Sequence, residues 1–147
     1  TMRHAEGAAL AALVAAQLDR IAERAAEARA AAAAREDRWR TAQAAALARL
    51  LAETPADPAR LAQELALLAT RADVTEELDR IAAHVEAARA LLAEGGAVGR
   101  RLDFLTQEFL REANTLCSKA QAIDLTRIGL DLKAVIEQMR EQVQNIE

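Results

Sequence analysis

The sequence predicts an all-α protein, an elongated helical bundle of five to six helices with a long amino-terminal helical arm. Aromatic residues make up 2% of the 147 residues, and hydrophobic residues make up 52%. The core must therefore come from Leu, Ile, Val and Ala, because the β-branched and aromatic runs that strands favour are missing. Only two prolines and five glycines occur in the chain, which leaves long stretches in which a helix can continue.

Two breaks in the sequence predict where the helices end. The segment TPADP, residues 54–58, ends one helix, and Pro58 opens the next because proline is favoured in the first turn. Gly95 and Gly96 in EGGAVG close a later helix. The count is six if the first long segment breaks near Ala34. The predicted helices are residues 5–33, 36–53, 58–72, 75–94, 99–120 and 125 to the end.

The sequence predicts that the chain is divided into two helical parts. Residues 1–53 form a long helical arm or hairpin, whose apolar residues thin into alanines after Ile21 and which packs along a neighbouring helix or another subunit. Residues 58–147 form a carboxy-terminal helical domain. In its last helix, one apolar stripe with steps of three and four runs from Leu125 to Ile146, which predicts packing against a partner helix.

Charge and cysteine content narrow the class of protein. The net charge of −4 excludes nucleic-acid binding through bulk positive charge, so any contact with RNA or DNA must be local. The single cysteine, Cys117, cannot form an internal disulfide, which suits a reducing compartment. No segment is long and apolar enough to span a bilayer. We therefore expect a cytoplasmic protein without a membrane partner.

The segment GRRLDFLTQEFLREANTLCSK, residues 99–119, carries the candidate site. At about 100° per residue its apolar side chains share one arc, which we expect to be buried. A second arc holds Asp103, Gln107, Arg111, Asn114 and Ser118, and a third strip holds Glu108, Glu112, Thr115 and Lys119. Glu108 and Glu112, one turn apart, could share a divalent cation or act as an acid and base pair. They could equally be ordinary neighbours that border the core.

The preceding helix offers a matching polar face. Asp73, Glu77, Arg80 and His84 lie within about 60° of one another, opposite the predicted apolar stripe. If the two helices form an antiparallel pair through the glycine loop, both polar faces line one cleft. Such a cleft suits phosphodiester chemistry, because carboxylates hold a metal, His or Glu moves protons, and Arg clamps phosphate.

Four blocks of the sequence resemble the YicC-type endoribonuclease family. The family's carboxy-terminal block contains a glycine and two bases, L-D-F, Q-E, R-E-x-N-T and S-K, as GRRLDFLTQEFLREANTLCSK does. DLKAVIEQMREQVQNIE resembles the family's ending, and MRHAEGAAL and QELALLATRADVTEELDRIAAHV resemble its upstream elements. Family members are much longer and begin with a separate amino-terminal domain that this sequence lacks, so we expect a truncated form.

The resemblance implies metal-assisted cleavage of RNA by a bacterial protein that assembles as a homo-oligomer, a hexamer in the family. We expect a divalent cation, Mg²⁺ or Mn²⁺, and no small-molecule cofactor. The roles are assigned from residue type. The catalytic candidates are Glu108, Glu112, His84 and Glu77, and the metal ligands are Asp103, Glu108 and Glu112. The RNA-binding candidates are Arg71, Arg80, Arg100, Arg101, Gln107, Arg111, Asn114, Ser118 and Lys119.

Two other functions fit the same sequence. The polar faces could be contacts in a non-catalytic oligomerisation or RNA-binding module, whose charges pair between subunits. Composition by itself also allows a purely structural coiled-coil protein. An assay for cleavage of a short RNA with and without a divalent ion distinguishes a metal-assisted endoribonuclease from these two alternatives.

Overall fold

The computed structural model describes the backbone of residues 2–53 and 57–145 and, within them, the side chains from residue 7 onward. In these ranges the chain forms five helices and no strand, which confirms the all-α prediction. The helices are α1 (Met2–Glu53), α2 (Pro58–Arg71), α3 (Thr75–Glu94), α4 (Gly99–Lys119) and α5 (Ile123–Val143). The predicted turn at residues 54–56 and Ile146 of the predicted stripe lie outside the described residues.

The predicted break near Ala34 is wrong, because α1 is one continuous helix of 52 residues. No proline or glycine occurs between Gly7 and Pro55, so nothing in the sequence interrupts the hydrogen-bond ladder. At 1.5 Å per residue, α1 is about 78 Å long. None of the helices in the described part of the chain is both long and apolar enough to cross a membrane.

Helices α1, α3, α4 and α5 form a four-helix bundle in which α1 packs on α3 and α5, and α4 packs on the same two helices. Ion pairs show that neighbours run antiparallel. Between α1 and α3, Asp19 pairs with Arg89 at 2.9 Å and Arg29 with Asp79 at 2.7 Å. Along each helix, stripes of Leu, Ile, Val and Ala meet in one continuous core. This core holds α3 and α4 side by side.

The bundle includes only the first part of α1. Its buried side chains run from Val14 to Arg35, and none is buried between residues 36 and 53. Helix α2 also has no buried residue. We call residues 36–53 of α1 together with α2 the hairpin, because the chain leaves the bundle along the first segment and returns along the second. The predicted arm of residues 1–53 is thus part core and part hairpin.

Short-range contacts explain where the helices begin and end. The Asp57 carboxylate accepts a hydrogen bond from the Ala59 amide, and Pro58 occupies the first turn of α2 as predicted. Gly95 and Gly96 end α3 with φ values of 73° and 76°, a region that L side chains avoid. Before α3, Asp73 accepts hydrogen bonds from the Thr75 hydroxyl and amide, which lower the pKa of Asp73.

One glycine inside the bundle serves close packing. A Cβ atom at Gly129 of α5 would lie 2.7 Å from the Cys117 Sγ atom of α4, closer than the two atoms can approach. The Cys117 side chain therefore occupies the space that Gly129 leaves. Burial raises the pKa of the Cys117 thiol, as expected of a packing residue and not of a reactive thiolate.

Arg35 joins the bundle to the hairpin. Its side chain is 1% exposed, and its guanidinium donates to the carbonyl oxygens of Lys119 and Ala120 at 2.9 and 2.7 Å and of Ala72 at 2.8 Å. These carbonyls lie at the carboxy-terminal ends of α4 and α2, where the last carbonyls of a helix lack internal donors and a cation is favoured. Arg35 also lies 4.4 Å from the centre of the Trp39 ring. Burial lowers the pKa of Arg35.

Candidate active site

The facing surfaces of α3 and α4 bring together three of the predicted site residues. One ligand atom each from His84, Glu108 and Glu112 lies within 4.8 Å of the other two. We call these three residues the triad. His84 and Glu108 are partly exposed, whereas Glu112 is only 4% exposed. The antiparallel register of α3 and α4 produces this group, because it sets His84 opposite the turn of α4 that carries both carboxylates.

Neighbouring side chains hold the triad in place. The His84 ring meets the buried Phe109 ring edge to face, with the ring centres 5.8 Å apart. Arg80 Nη1 lies 3.7 Å from Glu112 Oε1, and the same guanidinium is hydrogen-bonded to Glu76 one turn earlier on α3. A carboxylate as buried as Glu112 needs such a positive neighbour, since an isolated buried charge is costly.

The triad has the chemistry of a divalent-cation site. Carboxylate oxygens and an imidazole nitrogen together bind divalent metal ions such as Mn²⁺ in proteins, and in zinc sites these bonds are about 2.0–2.2 Å long. Two atoms on opposite sides of such an ion are about 4.2 Å apart, so ligand atoms within 4.8 Å of one another need only small side-chain rotations to bind it. The three residues therefore fit a cation.

Glu77 does not join the triad. It lies two helical turns before His84, about 10 Å along α3. Its carboxylate is 3% exposed and forms an ion pair with Lys119 at 2.7 Å, so this pair ties α3 to α4. The sequence predicts that Glu77 lies opposite the apolar stripe of α3, and this prediction is wrong. Leu78 and Ile81 follow it at one and four positions, and both are buried on the same side.

Asp103 also lies apart from the triad. It precedes Glu112 by nine residues, which turns it to the other side of α4. Its carboxylate accepts a hydrogen bond from Gln107 Nε2 at 3.2 Å and lies 3.9 Å from Arg140 Nε of α5. The geometry therefore does not support the predicted metal set of Asp103 with the two glutamates, and His84 takes its place in the group.

Most predicted RNA-binding residues are on the surface. Arg111 is 75% exposed and lies 3.9 Å from Glu108, next to the triad. Lys119 is different, because it is only partly exposed and its ammonium contacts Glu77 and the Asp73 carbonyl. Arg71 lies in the last turn of α2, outside the α3–α4 pair. The exposed candidates are Arg71, Arg80, Arg100, Arg101, Gln107, Arg111, Asn114 and Ser118.

A groove that the sequence does not predict lies one helical turn from the triad, on the side of the glycine loop. It has a volume of about 560 Å³, and α3 lines it with Ala87, Ala90 and Leu91. Helix α4 contributes Leu105 and Phe104, whose side chain is 60% exposed. The available signal was the spacing, since Phe104 precedes Glu108 by one turn and one of the chain's few aromatic residues stands among charged ones.

Comparison with known proteins agrees with the resemblance seen in the sequence. The family described as "Endoribonuclease YicC-like, C-terminal" matches residues 14–147. A "Probable endoribonuclease YicC" from Haemophilus influenzae is 56% identical over 79 residues, which are 54% of this chain and 28% of that protein. One of the same name from Clostridioides difficile is 38% identical over 79 residues, 54% of this chain and 27% of that protein. These matches cover little more than a quarter of each relative.

Proposed function

The chain belongs to the YicC-like endoribonuclease family, of which it carries the carboxy-terminal part, and we propose that it cleaves RNA with a divalent cation held by the triad. The observation that carries the proposal is the approach of His84, Glu108 and Glu112 to within 4.8 Å. RNA as the substrate is proposed from the names of the relatives, which call them probable endoribonucleases.

The proposed role of each side chain in the site follows from how exposed it is. When bound, a divalent cation would stabilise negative charge on the phosphate that is attacked. Glu112, the most buried of the triad, anchors the ligand set, and Arg80 balances its charge. The Glu108 side chain is 22% exposed, so one of its oxygens can accept the proton of the attacking hydroxyl or water. Arg111, beside it, orients the phosphate.

Of the two cations expected from the sequence, we propose Mn²⁺. Mg²⁺ is bound almost entirely through oxygen and keeps several of its waters, whereas Mn²⁺ also occurs in carboxylate sites that include a histidine ligand. His84 supplies such a nitrogen within the triad. Removing it should therefore weaken Mn²⁺ binding more than Mg²⁺ binding.

The proposal is tested by the substitution Glu112→Gln, which keeps the size of the side chain and removes its charge. We expect cleavage of a short single-stranded RNA in Mn²⁺ to fall at least about 100-fold, because the ligand set loses its anchor. Mn²⁺ binding, measured by calorimetry without RNA, should weaken about 10- to 100-fold. The matched control is Glu86→Gln on α3, whose carboxylate is 71% exposed and pairs with Arg89.

A chelator should abolish cleavage by the unchanged chain. If Glu112→Gln cleaves as fast as the Glu86→Gln control, Glu112 has no part in the reaction. If Mn²⁺ binds equally to both variants, the triad is not the metal site.

A second function is supported by the ion pairs of the same surface. Glu112 with Arg80 and Glu77 with Lys119 satisfy their charges between α3 and α4 without any ligand. This arrangement also suits a module that holds RNA or assembles without cleaving it. RNA binding that weakens with salt, without cleavage in any divalent ion, would favour this function.

We also propose that the chain assembles with copies of itself in the cytoplasm. The hairpin supports assembly, because Leu50, Leu51, Leu67 and Leu68 are each between 39% and 60% exposed. Light scattering should then give a solution mass that is a multiple of that of one chain. The single partly buried Cys117 is compatible with a reducing compartment.

A further inference from the structure

We propose that the groove beside the triad binds an unpaired nucleobase of single-stranded RNA, which stacks on Phe104. The inference rests on the proposed function, since it assigns a substrate position next to the same site. Phe104 is 60% exposed, although a large aromatic side chain on a bundle helix is normally buried. Phe109, five residues later on α4, is fully buried in the core. Phe104 therefore lies on the opposite, solvent-facing part of the helix surface and does not contribute to core packing.

The groove has the shape and lining that a base requires. The small side chains of Ala87 and Ala90 on α3 leave space opposite Phe104, and Leu91 and Leu105 form an apolar floor. The volume of about 560 Å³ exceeds that of a single base. Base stacking on an aromatic side chain is tolerant of sequence, because every base has a π face.

The groove and the triad occupy neighbouring turns of both helices. Phe104 precedes Glu108 by one turn of α4, and Ala87 follows His84 by about one turn of α3. The four residues from Phe104 to Glu108 rise about 6 Å along the helix axis. This rise is close to the reach of one nucleotide in an extended strand, so a base on Phe104 belongs to a nucleotide adjoining the phosphate at the triad.

Charge at the rim of the groove suits the backbone of the same strand. Arg100 and Arg101 line the groove beside Phe104. Arg101 is 3.4 Å from Glu94, an exposed pair that a phosphate can replace at little cost. The groove therefore combines an aromatic platform with guanidinium groups, as do proteins that bind single-stranded nucleic acids. A duplex does not fit, because its bases are already stacked and paired.

The experiment measures binding, so that it is independent of cleavage. A fluorescent single-stranded RNA is titrated with the chain in a chelator, and anisotropy gives the dissociation constant. We expect Phe104→Ala to raise this constant about 10-fold and Phe104→Trp to leave it unchanged or lower it. The matched control is Ile123→Ala, because Ile123 is 80% exposed on α5 and lies outside the groove.

Abasic substitutions identify the stacked nucleotide. At one position along the RNA, removal of the base should weaken binding to the unchanged chain about 10-fold. At the same position, removal of the base should not weaken binding to the Phe104→Ala variant any further. Equal losses at every position in both proteins would contradict stacking. Unchanged melting temperatures of the variants exclude an effect on the fold.

The outcomes separate this inference from the proposed function. If Phe104→Ala binds RNA as tightly as the unchanged chain, the stacking site is wrong, and the Glu112→Gln cleavage result still stands by itself. If Phe104 is required for binding but no RNA is cleaved in Mn²⁺, the stacking site stands and catalysis fails. If the unchanged chain binds no RNA, both are overturned.

Discussion

The bundle and the hairpin are built from similar sequence but differ in what their helices contact. Helix α1 belongs to both, and its leucines show the difference. Leu18 in the bundle is fully buried, whereas Leu50 in the hairpin is 47% exposed. Both stand in alanine-rich sequence with charged neighbours. The difference lies in the partners, because α3 and α5 cover the first part of α1 and the hairpin contributes no buried residue.

This comparison shows that an amphipathic pattern predicts a helix better than it predicts burial. In α2, Leu61, Leu65 and Leu68 recur at steps of four and three, as in the bundle helices. Nevertheless, Leu68 is 56% exposed and none of the three is buried. An apolar stripe lowers the free energy of folding only where another surface removes it from water.

Arg35 marks the boundary between the two regions, and its replacement should have the largest effect. Arg35→Met leaves the carbonyls of Lys119, Ala120 and Ala72 without their donor and removes the contact with Trp39. We expect the free energy of unfolding, measured in urea, to fall by about 3 kcal/mol.

Two further variants test whether the guanidinium of Arg35 is the cause of this stabilisation. Arg35→Lys should also destabilise, because an ammonium cannot donate to both helix ends in the fork geometry of a guanidinium. Arg38→Met, at an exposed position 3.8 Å from Asp124, is the control and should change stability by less than about 0.5 kcal/mol. A loss of stability in Arg35→Met close to that in Arg38→Met would contradict the role of Arg35 in joining the bundle to the hairpin.

The same substitution at two positions of α1 tests the contrast directly. Leu18→Ala should lower the free energy of unfolding by about 3 kcal/mol, because it creates a cavity among α1, α3 and α5. Leu50→Ala should change it by less than about 0.5 kcal/mol in a dilute, monomeric sample. Equal effects in urea denaturation would mean that the hairpin is covered in solution.

A smaller loss of stability than in Arg35→Met or Leu18→Ala is expected when a side chain at the start of a helix is removed. Asp57→Ala removes the hydrogen bond to the Ala59 amide at the start of α2 and should weaken that helix by about 1 kcal/mol. Hydrogen exchange of α2 amides should then rise about fivefold, while exchange in α4 stays unchanged, because the hairpin opens without the bundle.

Asp73→Ala is the matched variant just before α3, where the carboxylate accepts hydrogen bonds from the Thr75 amide and hydroxyl. Because α3 belongs to the bundle, this change should lower protection in α3 and α4 together. If Asp57→Ala accelerates exchange throughout the bundle, the two regions unfold as one unit.

The candidate site was predicted in part. The spacing of Glu108 and Glu112 placed both carboxylates on one strip of α4, and burial confirms that this strip borders the core. Periodicity within a single helix is enough for such a prediction, since each residue advances by about 100°. The sequence also predicted that the polar face of α3 lines one cleft with α4 if the two helices pair, and His84 does lie beside both carboxylates. The sequence grouped Glu77 with His84, and packing buried Glu77 against Lys119 instead.

The sequence by itself determined the all-α class, the helix ends at Pro58 and at Gly95 and Gly96, and the family. These follow from local preferences of the backbone and from the order of residues. Only the tertiary structure decided that His84 meets Glu108 and Glu112, that Arg35 joins the bundle to the hairpin and that Phe104 is exposed. The reason is physical: these contacts depend on the register between helices, and register is set by the packing of all four helices of the core together.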